Sequence, residues 1–295
     1  MIPVFKPKTD FSDIRSVLKA LIGNNISGTS PVVKEFEENF SKKFSRDYGV
    51  SVSNGSVALD VALKVLNLKE NDEVIVPSFT IISCLSAIIR SGAKPIFCDV
   101  DPESWNMTLQ NVKDSFSTKT KAVLVVHTYG LVADIKRISD FCKENSLYLI
   151  EDAAEAHGQK IDKQFCGSFG DVSTFSFYAN KHITTGEGGI LLTDSKNFYE
   201  EAKKIRNLDF DNKKRFQHEN LYWNYRLSGL QAALGNSQIK KLDKTINFKI
   251  KQGNYYRYLL SDALDFIELP LKEHNGTVNH YWVFGILLKK ENIRD

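Results

Sequence analysis

The stretch TFSFYANKHITTGEGGILLT, residues 174–193, places one lysine between two apolar runs that resemble strands. The run STFSFY (173–178) precedes Lys181, and GILLT (189–193) follows a glycine-rich turn. Glycines permit tight backbone packing at such a turn. Burial between strands lowers the pKa of a lysine, because the charged form loses its hydration. Most lysines are solvated surface charges, but a buried one is suited to covalent catalysis through its amine.

Apolar runs that alternate with helical patterns continue over the first 208 residues. Besides the two runs above, the predicted strands are YGVSVS (48–53), EVIVP (73–77), PIFCDV (95–100), AVLVVH (122–127) and LYLIED (147–152). The predicted helices cover residues 56–66, 80–92, 133–146 and 195–208. Strands rich in Val, Ile and Phe with helices between them predict an α/β fold. Its central sheet would be mostly parallel and covered by helices.

The C-terminal part of the sequence has a different character. The polar segment 209–220 predicts a loop, residues 225–264 predict a long helical region, and HYWVFGILLKK (280–290) predicts a strand. We expect a large domain over residues 1–235 and a partial small domain over 236–295. The small domain is expected to be truncated, because the sequence ends before the strands that would normally close its sheet.

Composition excludes several classes of protein. Of the 295 residues, 42% are hydrophobic and 25% are charged, which is ordinary for a globular protein and excludes global disorder. No apolar run approaches the roughly 20 residues of a membrane helix. A net charge of +3 is too small to indicate nucleic acid binding. The four cysteines form no C-x-x-C pair, so no metal site is expected, and the sequence indicates a cytoplasmic protein.

A second motif, VSNGSVALDVAL (52–63), predicts a strand, a tight turn and the start of a helix. The first helical turn offers unpaired N–H groups and the positive end of the helix dipole. Gly55 would let a ligand approach closely and Ser56 would add a hydroxyl, so the motif could hold a phosphate. An ordinary serine cap on the helix explains the same residues, and this motif alone does not decide between the two.

A third motif, LYLIEDAAEAHG (147–158), ends a strand with two carboxylates, Glu151 and Asp152. Ligands of open α/β sheets bind at the carboxyl ends of the strands. A carboxylate there could bind a metal, a ribose or a protonated ring nitrogen. Asp152 could equally cap a following helix, and the sequence leaves both interpretations open.

The three motifs together match the requirements of one cofactor, pyridoxal 5′-phosphate. The turn at Gly55 would hold the phosphate, Asp152 would keep the ring nitrogen protonated, and Lys181 would bond to the aldehyde and move protons. His182 could be a second base, but adjacent residues in extended backbone point to opposite sides. We therefore interpret His182 as a packed neighbour of the lysine.

Several collinear stretches carry a resemblance to a known family. They are IPVFKP near the start, ISGTSPVVKEFEENF (26–40), NGSVALDVAL (54–63), DEVIVPSFT (72–80), GAKPIFCDVDPESWNM (92–107), VVHTYG (125–130), EDAAEAHG (151–158), GSFGDVSTFSFYANKHITTGEGG (167–189) and WNYRLSGLQAALG (223–235). The chain resembles the DegT-type nucleotide-sugar aminotransferases over nearly its whole length. This resemblance implies the fold of type I pyridoxal phosphate-dependent transferases, which is aspartate aminotransferase-like.

The resemblance also implies roles for individual residues. Lys181 would carry the covalent bond to the cofactor, and Asp152 would pair with the ring nitrogen. Gly55, Ser56 and Ser176 would hold the phosphate, and Glu155 would lie near the ring oxygen. Asn224, in WNYR, would reach the phosphate in the neighbouring subunit, which implies a homodimer with shared active sites.

The reaction expected from the resemblance is amino transfer from glutamate to a nucleotide-linked 4-keto-6-deoxysugar. The related sugar 3-dehydratases carry a histidine at the position of Lys181, so the lysine favours transamination. FYANKHITTGEGG together with Glu155 is most similar to the perosamine synthase branch, which serves surface polysaccharide biosynthesis. Two alternatives remain: a cofactor-binding regulatory or inactive homologue, and a 3-dehydratase that uses His182.

One departure from the family pattern concerns the cofactor ring. Many members carry an aromatic residue after the threonine of PSFT, whereas this sequence has Ile81, which implies aliphatic ring packing. Several residues are candidate contacts of the sugar. The candidates are Phe5, Lys6, Ser27, Thr29, His127, Tyr129, Glu155 and the 209–220 loop.

Overall fold

A seven-stranded sheet forms the centre of the computed structural model, which describes residues 5–210 and 217–290. In chain order the strands are β1 (Tyr48–Val52), β2 (Glu73–Pro77), β3 (Lys94–Cys98), β4 (Thr120–Val126), β5 (Tyr148–Asp152), β6 (Lys160–Ile161), β7 (Gln164–Phe165), β8 (Val172–Ser176), β9 (Gly189–Thr193), β10 (Ile267–Glu268), β11 (Glu273–His274), β12 (Thr277–Val278) and β13 (Leu287–Leu288). The strands of the sheet lie in the order β1-β9-β8-β5-β4-β2-β3. All seven predicted runs between residues 48 and 193 form strands of this sheet.

The sheet is mostly parallel, as the sequence predicts. Strands β3, β2, β4, β5 and β8 run parallel to one another, while β9 is antiparallel to both of its neighbours, β8 and β1. The reversal at β9 has a local cause: β9 pairs directly with the strand that precedes it in the chain, so no crossover helix intervenes. The segment between β8 and β9 contains Lys181.

Helices precede β1, lie between strands of the sheet and follow β9. They are α1 (Phe11–Ile22), α2 (Pro31–Lys43), α3 (Gly55–Val65), α4 (Ile82–Ser91), α5 (Leu109–Ser115), α6 (Ile135–Glu144), α7 (Lys196–Arg206), α8 (Gly229–Ile239) and α9 (Leu242–Leu259). The four predicted helices correspond to α3, α4, α6 and α7. The sequence interpretation did not identify α1, α2 or α5. The start of α1 is fixed by Asp10, whose side chain accepts from the N–H groups of Ser12 and Asp13.

The core forms two layers, one on each face of the sheet. Alternate residues of β2 divide between them: Ile75 packs in one layer, and Val74 and Val76 pack in the other. This division follows from the two-residue period of a strand. The first layer contains the aromatic side chains of α2, and the second contains the apolar faces of α3 and α4. The predicted coverage of the sheet on both faces is therefore confirmed.

Two predictions for the C-terminal part are wrong in detail. The helical region 225–264 begins only at Gly229 and breaks between α8 and α9. At the break Lys241 binds Asp10 and Asp13 at 2.9 and 2.6 Å, a long-range ion pair that no local pattern reveals. In the segment 280–290 only Leu287–Leu288 is a strand, and Trp282, which precedes it, lines the large cavity described below. The expected domain boundary at residue 235 falls inside α8.

The remaining predictions concern the loop, the cysteines and membrane insertion. The described parts of the 209–220 loop contain neither helix nor strand, and residues 211–216 lie outside the described residues. Cys84 and Cys142 lie in helices and Cys98 in a strand, as expected, and all four cysteines are buried free thiols. Within residues 5–210 and 217–290, every helix is too short or too polar to cross a bilayer.

Candidate active site

The carboxyl ends of the central strands open into a cavity of about 990 Å³. Ligand sites of open α/β sheets occupy this position. Six of the seven site residues expected from the sequence line the cavity: Gly55, Ser56, Asp152, Glu155, Ser176 and Lys181. These residues come from the first turn of α3, from the ends of β5 and β8 and from the segments after those two strands, so the sheet topology brings them together.

One end of the cavity lies at the N-terminus of α3. Asn54 caps this helix, since its side chain accepts from the N–H of Val57 at 2.9 Å. The interpretation of Ser56 as the cap is therefore wrong: Ser56 lies in the first turn, and its hydroxyl lies 2.7 Å from that of Ser83. The first-turn N–H groups of Gly55 and Ser56 have no acceptor within the helix, which leaves them available to an anion.

Gly55 packs directly against Ser176 at the end of β8. A Cβ atom built on Gly55 would lie 2.7 Å from the Cβ of Ser176 and 3.0 Å from its Oγ. Any larger residue at position 55 would have to displace the helix or the strand. The contact therefore places the Ser176 hydroxyl beside the N-terminus of α3, and hydroxyl and N–H groups converge on one small region.

Lys181 lies almost fully inside the cavity wall, with 10% of its side chain exposed. Its backbone N–H donates to the carbonyl of Tyr178 at 3.0 Å, which closes a turn after β8. Burial lowers the pKa of the Lys181 amine, although Glu155 and Asp152 favour the charged form. The prediction of a buried lysine with a lowered pKa thus agrees with the structure, and a larger fraction of its amine is neutral than at the surface.

Glu155 faces the lysine from the segment after β5. Its Oε1 lies 3.6 Å from the Nζ of Lys181, and its Oε2 accepts from the backbone N–H of Tyr129 at 2.9 Å. Burial raises the pKa of Glu155 to about 7 against the opposing effects of Lys181 and the Tyr129 N–H. A carboxyl with this pKa is protonated in a substantial fraction of molecules near neutral pH.

Asp152 is buried at the end of β5, deeper than the lysine. Its Oδ1 accepts from the N–H of Ala154 at 3.0 Å, and the Cys84 thiol donates to its Oδ2 at 3.4 Å. No helix begins at residues 153–158, so the alternative that Asp152 is a helix cap is wrong. Burial raises the pKa of Asp152, whereas Ala154, Lys181 and Cys84 favour its charged form. A cationic ring nitrogen placed beside it would complete the charge pair.

Glu151 points to the other face of the sheet and does not share this role. Its two oxygens accept from the N–H groups of Gly167, Phe169 and Gly170 at 2.7 to 2.8 Å, and Oε1 lies 3.1 Å from Nε2 of His127. Three of these four contacts fix the 167–170 turn beneath the sheet, which is a structural function. His127 is fully buried in this network, so it is not a sugar contact.

His182 belongs to a buried cluster with His157 and His280, behind the cavity wall. It is 6% exposed and does not line the cavity, and the rings of His157 and His182 are 6.3 Å apart. Burial lowers the pKa of His182 strongly, and His157 and His280 lower it further. The interpretation of His182 as a packed neighbour is supported, and its use as a dehydratase base is disfavoured.

An aromatic wall that the sequence interpretation only partly identified flanks the cavity. It consists of Phe79, Trp105, Tyr129 and Trp282, with successive ring centroids 5.6 to 6.3 Å apart. Tyr129 was a candidate sugar contact, whereas Trp282 was assigned to a strand. The Trp282 ring lies 3.6 Å from the Nζ of Lys181. Such a long-range contact leaves no local trace in the sequence.

The remaining candidates lie at or beyond the mouth of the cavity. Phe5 contacts the cavity residue Tyr178 with ring centroids 6.3 Å apart, while the exposed hydroxyls of Ser27 and Thr29 pair with each other at 3.0 Å. Lys6 is exposed. Asn224 is also exposed and does not line the cavity of its own chain; its side chain accepts from the Arg226 N–H at 3.2 Å.

The residues of the cavity fit pyridoxal phosphate in size and chemistry. A small hydrogen-bonding region at Gly55, Ser56 and Ser176 suits the phosphate, and a Cβ at position 55 would intrude on it. Asp152 suits a protonated ring nitrogen, and Lys181 suits an aldehyde. Ile81 lines the cavity as expected. Within the described residues no group of histidine, cysteine, aspartate or glutamate side chains could hold a metal ion.

Several known proteins are similar to this chain in sequence or in structure. A GDP-perosamine synthase of Vibrio cholerae is 37% identical over 294 residues, which cover 99% of this chain and 78% of that protein. A GDP-perosamine synthase of Escherichia coli O157:H7 is 35% identical over 294 residues, which cover 100% of this chain and 80% of that protein. The aminotransferase TlmJ from Streptoalloteichus hindustanus has a TM-score of 0.92 at 28% identity, with coverage of 98% of this chain and 79% of TlmJ.

The family assignment rests on nearly the whole chain. The model of the DegT/DnrJ/EryC1/StrS aminotransferase family matches residues 7–295. Together with the similar structures, this match confirms the predicted fold class, pyridoxal phosphate cofactor and type of enzyme. The chain belongs to the DegT/DnrJ/EryC1/StrS aminotransferase family, whose members are pyridoxal phosphate-dependent sugar aminotransferases and their relatives.

Proposed function

We propose that this protein transfers an amino group from glutamate to a GDP-linked 4-keto-6-deoxysugar and so forms a GDP-perosamine-like product. The observation that carries the proposal is the position of the Lys181 amine. Lys181 lines the cavity, and its Nζ lies 3.6 Å from Oε1 of Glu155. The similarity to two GDP-perosamine synthases supports the choice of sugar and nucleotide. The product class belongs to bacterial surface polysaccharide biosynthesis.

The bound cofactor would supply an aldehyde that bonds to amines and a ring that accepts the electron pair of a broken C–H bond. The protein would supply binding and proton transfer. Gly55, Ser56 and Ser176 would hold the phosphate, and Asp152 would hold the ring nitrogen in its protonated form. The Lys181 amine would take the proton from the α-carbon of glutamate and return it to the carbon of the cofactor next to the ring.

Glu155 would set the protonation state of Lys181 during both halves of the reaction. Because its pKa is about 7, this carboxyl can accept a proton from the ammonium and give it back near neutral pH. Tyr129 holds one oxygen of Glu155 through its backbone N–H, which leaves the other oxygen facing the amine. The same lysine serves both substrates, so we expect ping-pong kinetics.

The proposal is tested with GDP-4-keto-6-deoxymannose and glutamate. We expect an amino sugar, detected by mass spectrometry, and one equivalent of 2-oxoglutarate for each. The variant Lys181→Ala should form neither product while it retains the fold. A product that has lost water without gaining nitrogen would support the dehydratase alternative. A protein that binds the cofactor but forms no 2-oxoglutarate would support the inactive or regulatory alternative.

We also propose that the active sites lie at a homodimer interface. Asn224 is exposed and has no place in the cavity of its own chain, and its neighbours Leu221 and Trp223 are 98% and 70% exposed. Large exposed apolar side chains mark interaction surfaces. In a dimer Asn224 would contact the cofactor phosphate of the partner subunit.

The homodimer is tested with a pair of charged variants. Trp223→Asp should yield a monomer in sedimentation velocity and weaken cofactor binding. The matched control is Phe266→Asp, because Phe266 is also 70% exposed but belongs to the C-terminal region. This variant should leave the oligomeric state and the cofactor affinity unchanged. Equal behaviour of the two variants would contradict the proposed interface.

Two further assignments belong to the proposal. The break between α8 and α9 is the better boundary between the large domain and the C-terminal domain, because α8 continues past residue 235. A cytoplasmic location suits the four buried free thiols, since a reducing compartment keeps cysteines in this state.

A further inference from the structure

Trp282 covers Lys181 from the C-terminal part of the chain. The Nζ of Lys181 lies 3.6 Å from the centroid of the Trp282 ring and 3.6 Å from Oε1 of Glu155. Cations interact favourably with the face of an indole when they lie within about 6 Å of its centroid. The amine therefore has two partners that favour its charged form, a carboxylate and an aromatic face.

The indole is attached to the segment that carries the lysine. Its Nε1 donates to the backbone carbonyl of Asn180 at 3.0 Å, and Asn180 directly precedes Lys181. One hydrogen bond thus fixes the ring relative to the lysine backbone, while the ring face contacts the end of the lysine side chain.

The two residues that precede Trp282, His280 and Tyr281, are anchored to two parts of the fold. The N–H of His280 donates to the carbonyl of Gly130 at 3.2 Å, and Tyr281 is buried against Gly253 of α9. A Cβ on Gly253 would lie 2.3 Å from the Tyr281 ring, so this position accepts only glycine without rearrangement. Trp282 is consequently held at its backbone as well as at its ring.

We propose that Trp282 is a positioning residue for Lys181, which holds the ammonium group between the indole face and Glu155 and keeps it pointed into the cavity. This inference deepens the proposed function, because it gains its catalytic meaning from Lys181 as the cofactor-binding lysine. The charged and titratable groups that act on Lys181 are Glu155 and Asp152 from the segment at the end of β5. Trp282 adds an uncharged partner from a different element.

The test measures the pKa of Lys181 in the full chain freed of cofactor. Competitive labelling with acetic anhydride over a range of pH, followed by mass spectrometry of the peptide that contains Lys181, reports this pKa directly. In Trp282→Leu, which keeps an apolar side chain over the amine, we expect the pKa to fall by about 0.5 to 1 unit. Trp282→Phe retains an aromatic face, so it should lower the pKa of Lys181 by less than half as much as Trp282→Leu does.

The matched control is Trp105→Leu. Trp105 belongs to the same aromatic wall and contacts Tyr129 with ring centroids 5.6 Å apart, but it does not line the cavity beside the amine. Its loss should leave the pKa of Lys181 unchanged. A fall of similar size in Trp105→Leu and Trp282→Leu would overturn the proposal, because it would indicate a general loss of packing.

Fluorinated tryptophan provides a second measurement that does not depend on the folding of a variant. Fluorine weakens the negative face of the indole at nearly constant size, so the pKa of Lys181 should fall with each added fluorine. An unchanged or rising pKa in Trp282→Leu and in the fluorinated protein would overturn the proposal, since the ring would then only exclude water. The labelling experiment needs no cofactor, so its result is separate from the test of cofactor binding.

Discussion

The close contact between Gly55 and Ser176 gives the sharpest test of the phosphate site, through the substitution Gly55→Ala. The added Cβ would lie 2.7 Å from the Ser176 Cβ and 3.3 Å from its Cα, which belongs to the buried strand β8. Overpacking of this kind costs about 1 to 3 kcal/mol. The better helix propensity of alanine offsets about 1 kcal/mol of that. The expected net loss in the free energy of unfolding is therefore about 0 to 2 kcal/mol.

The effect on the cofactor should exceed the effect on stability. Displacement of α3 from β8 would separate the N–H groups of the first helical turn from the Ser176 hydroxyl. Hydrogen bonds to a charged group are worth about 1.5 to 3 kcal/mol, which corresponds to a roughly 10- to 100-fold weaker affinity. Urea unfolding measures the free energy of unfolding, and titration of the visible absorption band of the bound cofactor measures the cofactor affinity.

The double variant Gly55→Ala with Ser176→Gly separates steric from chemical effects. Removal of the Ser176 side chain makes room for the new methyl group, so the losses in unfolding free energy should not add. Additive losses, or a Gly55→Ala variant that binds pyridoxal phosphate within twofold of the native affinity, would refute the close packing of α3 against β8 as the basis of the phosphate site.

Two other predictions concern groups near the lysine. Burial lowers the pKa of His157 to about 3 and of His280 to about 4, so the unfolded chain binds more protons below pH 6.5 and the free energy of unfolding should fall as the pH falls towards 4. In urea unfolding, His280→Gln should make this fall in unfolding free energy shallower by up to about 1.4 kcal/mol per pH unit. Glu155 has a raised pKa and contributes in the opposite direction. An unchanged pH slope in His280→Gln would contradict a lowered pKa for His280. Cys84→Ala removes a hydrogen-bond donor to Asp152 and should weaken cofactor affinity about fivefold in a titration of the visible absorption band. Cys84→Ser keeps a donor, so its cofactor affinity should stay within twofold of the native value. Equal losses of affinity in the two variants would contradict a role for the hydrogen bond.

Much of the fold was predictable because its determinants are local. Each strand of the central sheet is a short apolar run, and the site residues follow directly from the ends of these runs. Gly55, Asp152 and Lys181 are far apart in the sequence, yet the parallel sheet brings its strand ends to one edge. The two-residue period of a strand also points Asp152 and Glu151 to opposite faces, so of these two carboxylates only Asp152 lines the cavity.

The errors occurred where distant contacts override local patterns. The ion pairs of Lys241 with α1 accompany the break in a continuous helical sequence, and the inward turn at Trp282 replaces a predicted strand. His127, a candidate sugar contact in the sequence, is instead fully buried beside Glu151. None of these contacts leaves a periodic pattern in the sequence.

The central claim is that Lys181 carries out amino transfer with pyridoxal phosphate. The most direct measurement is the visible absorption spectrum of the purified protein with the cofactor, before and after glutamate is added. The account predicts a visible band that bleaches with glutamate, and no such lysine-dependent band in Lys181→Ala. A band that persists after glutamate, or one that forms equally in Lys181→Ala, would contradict it.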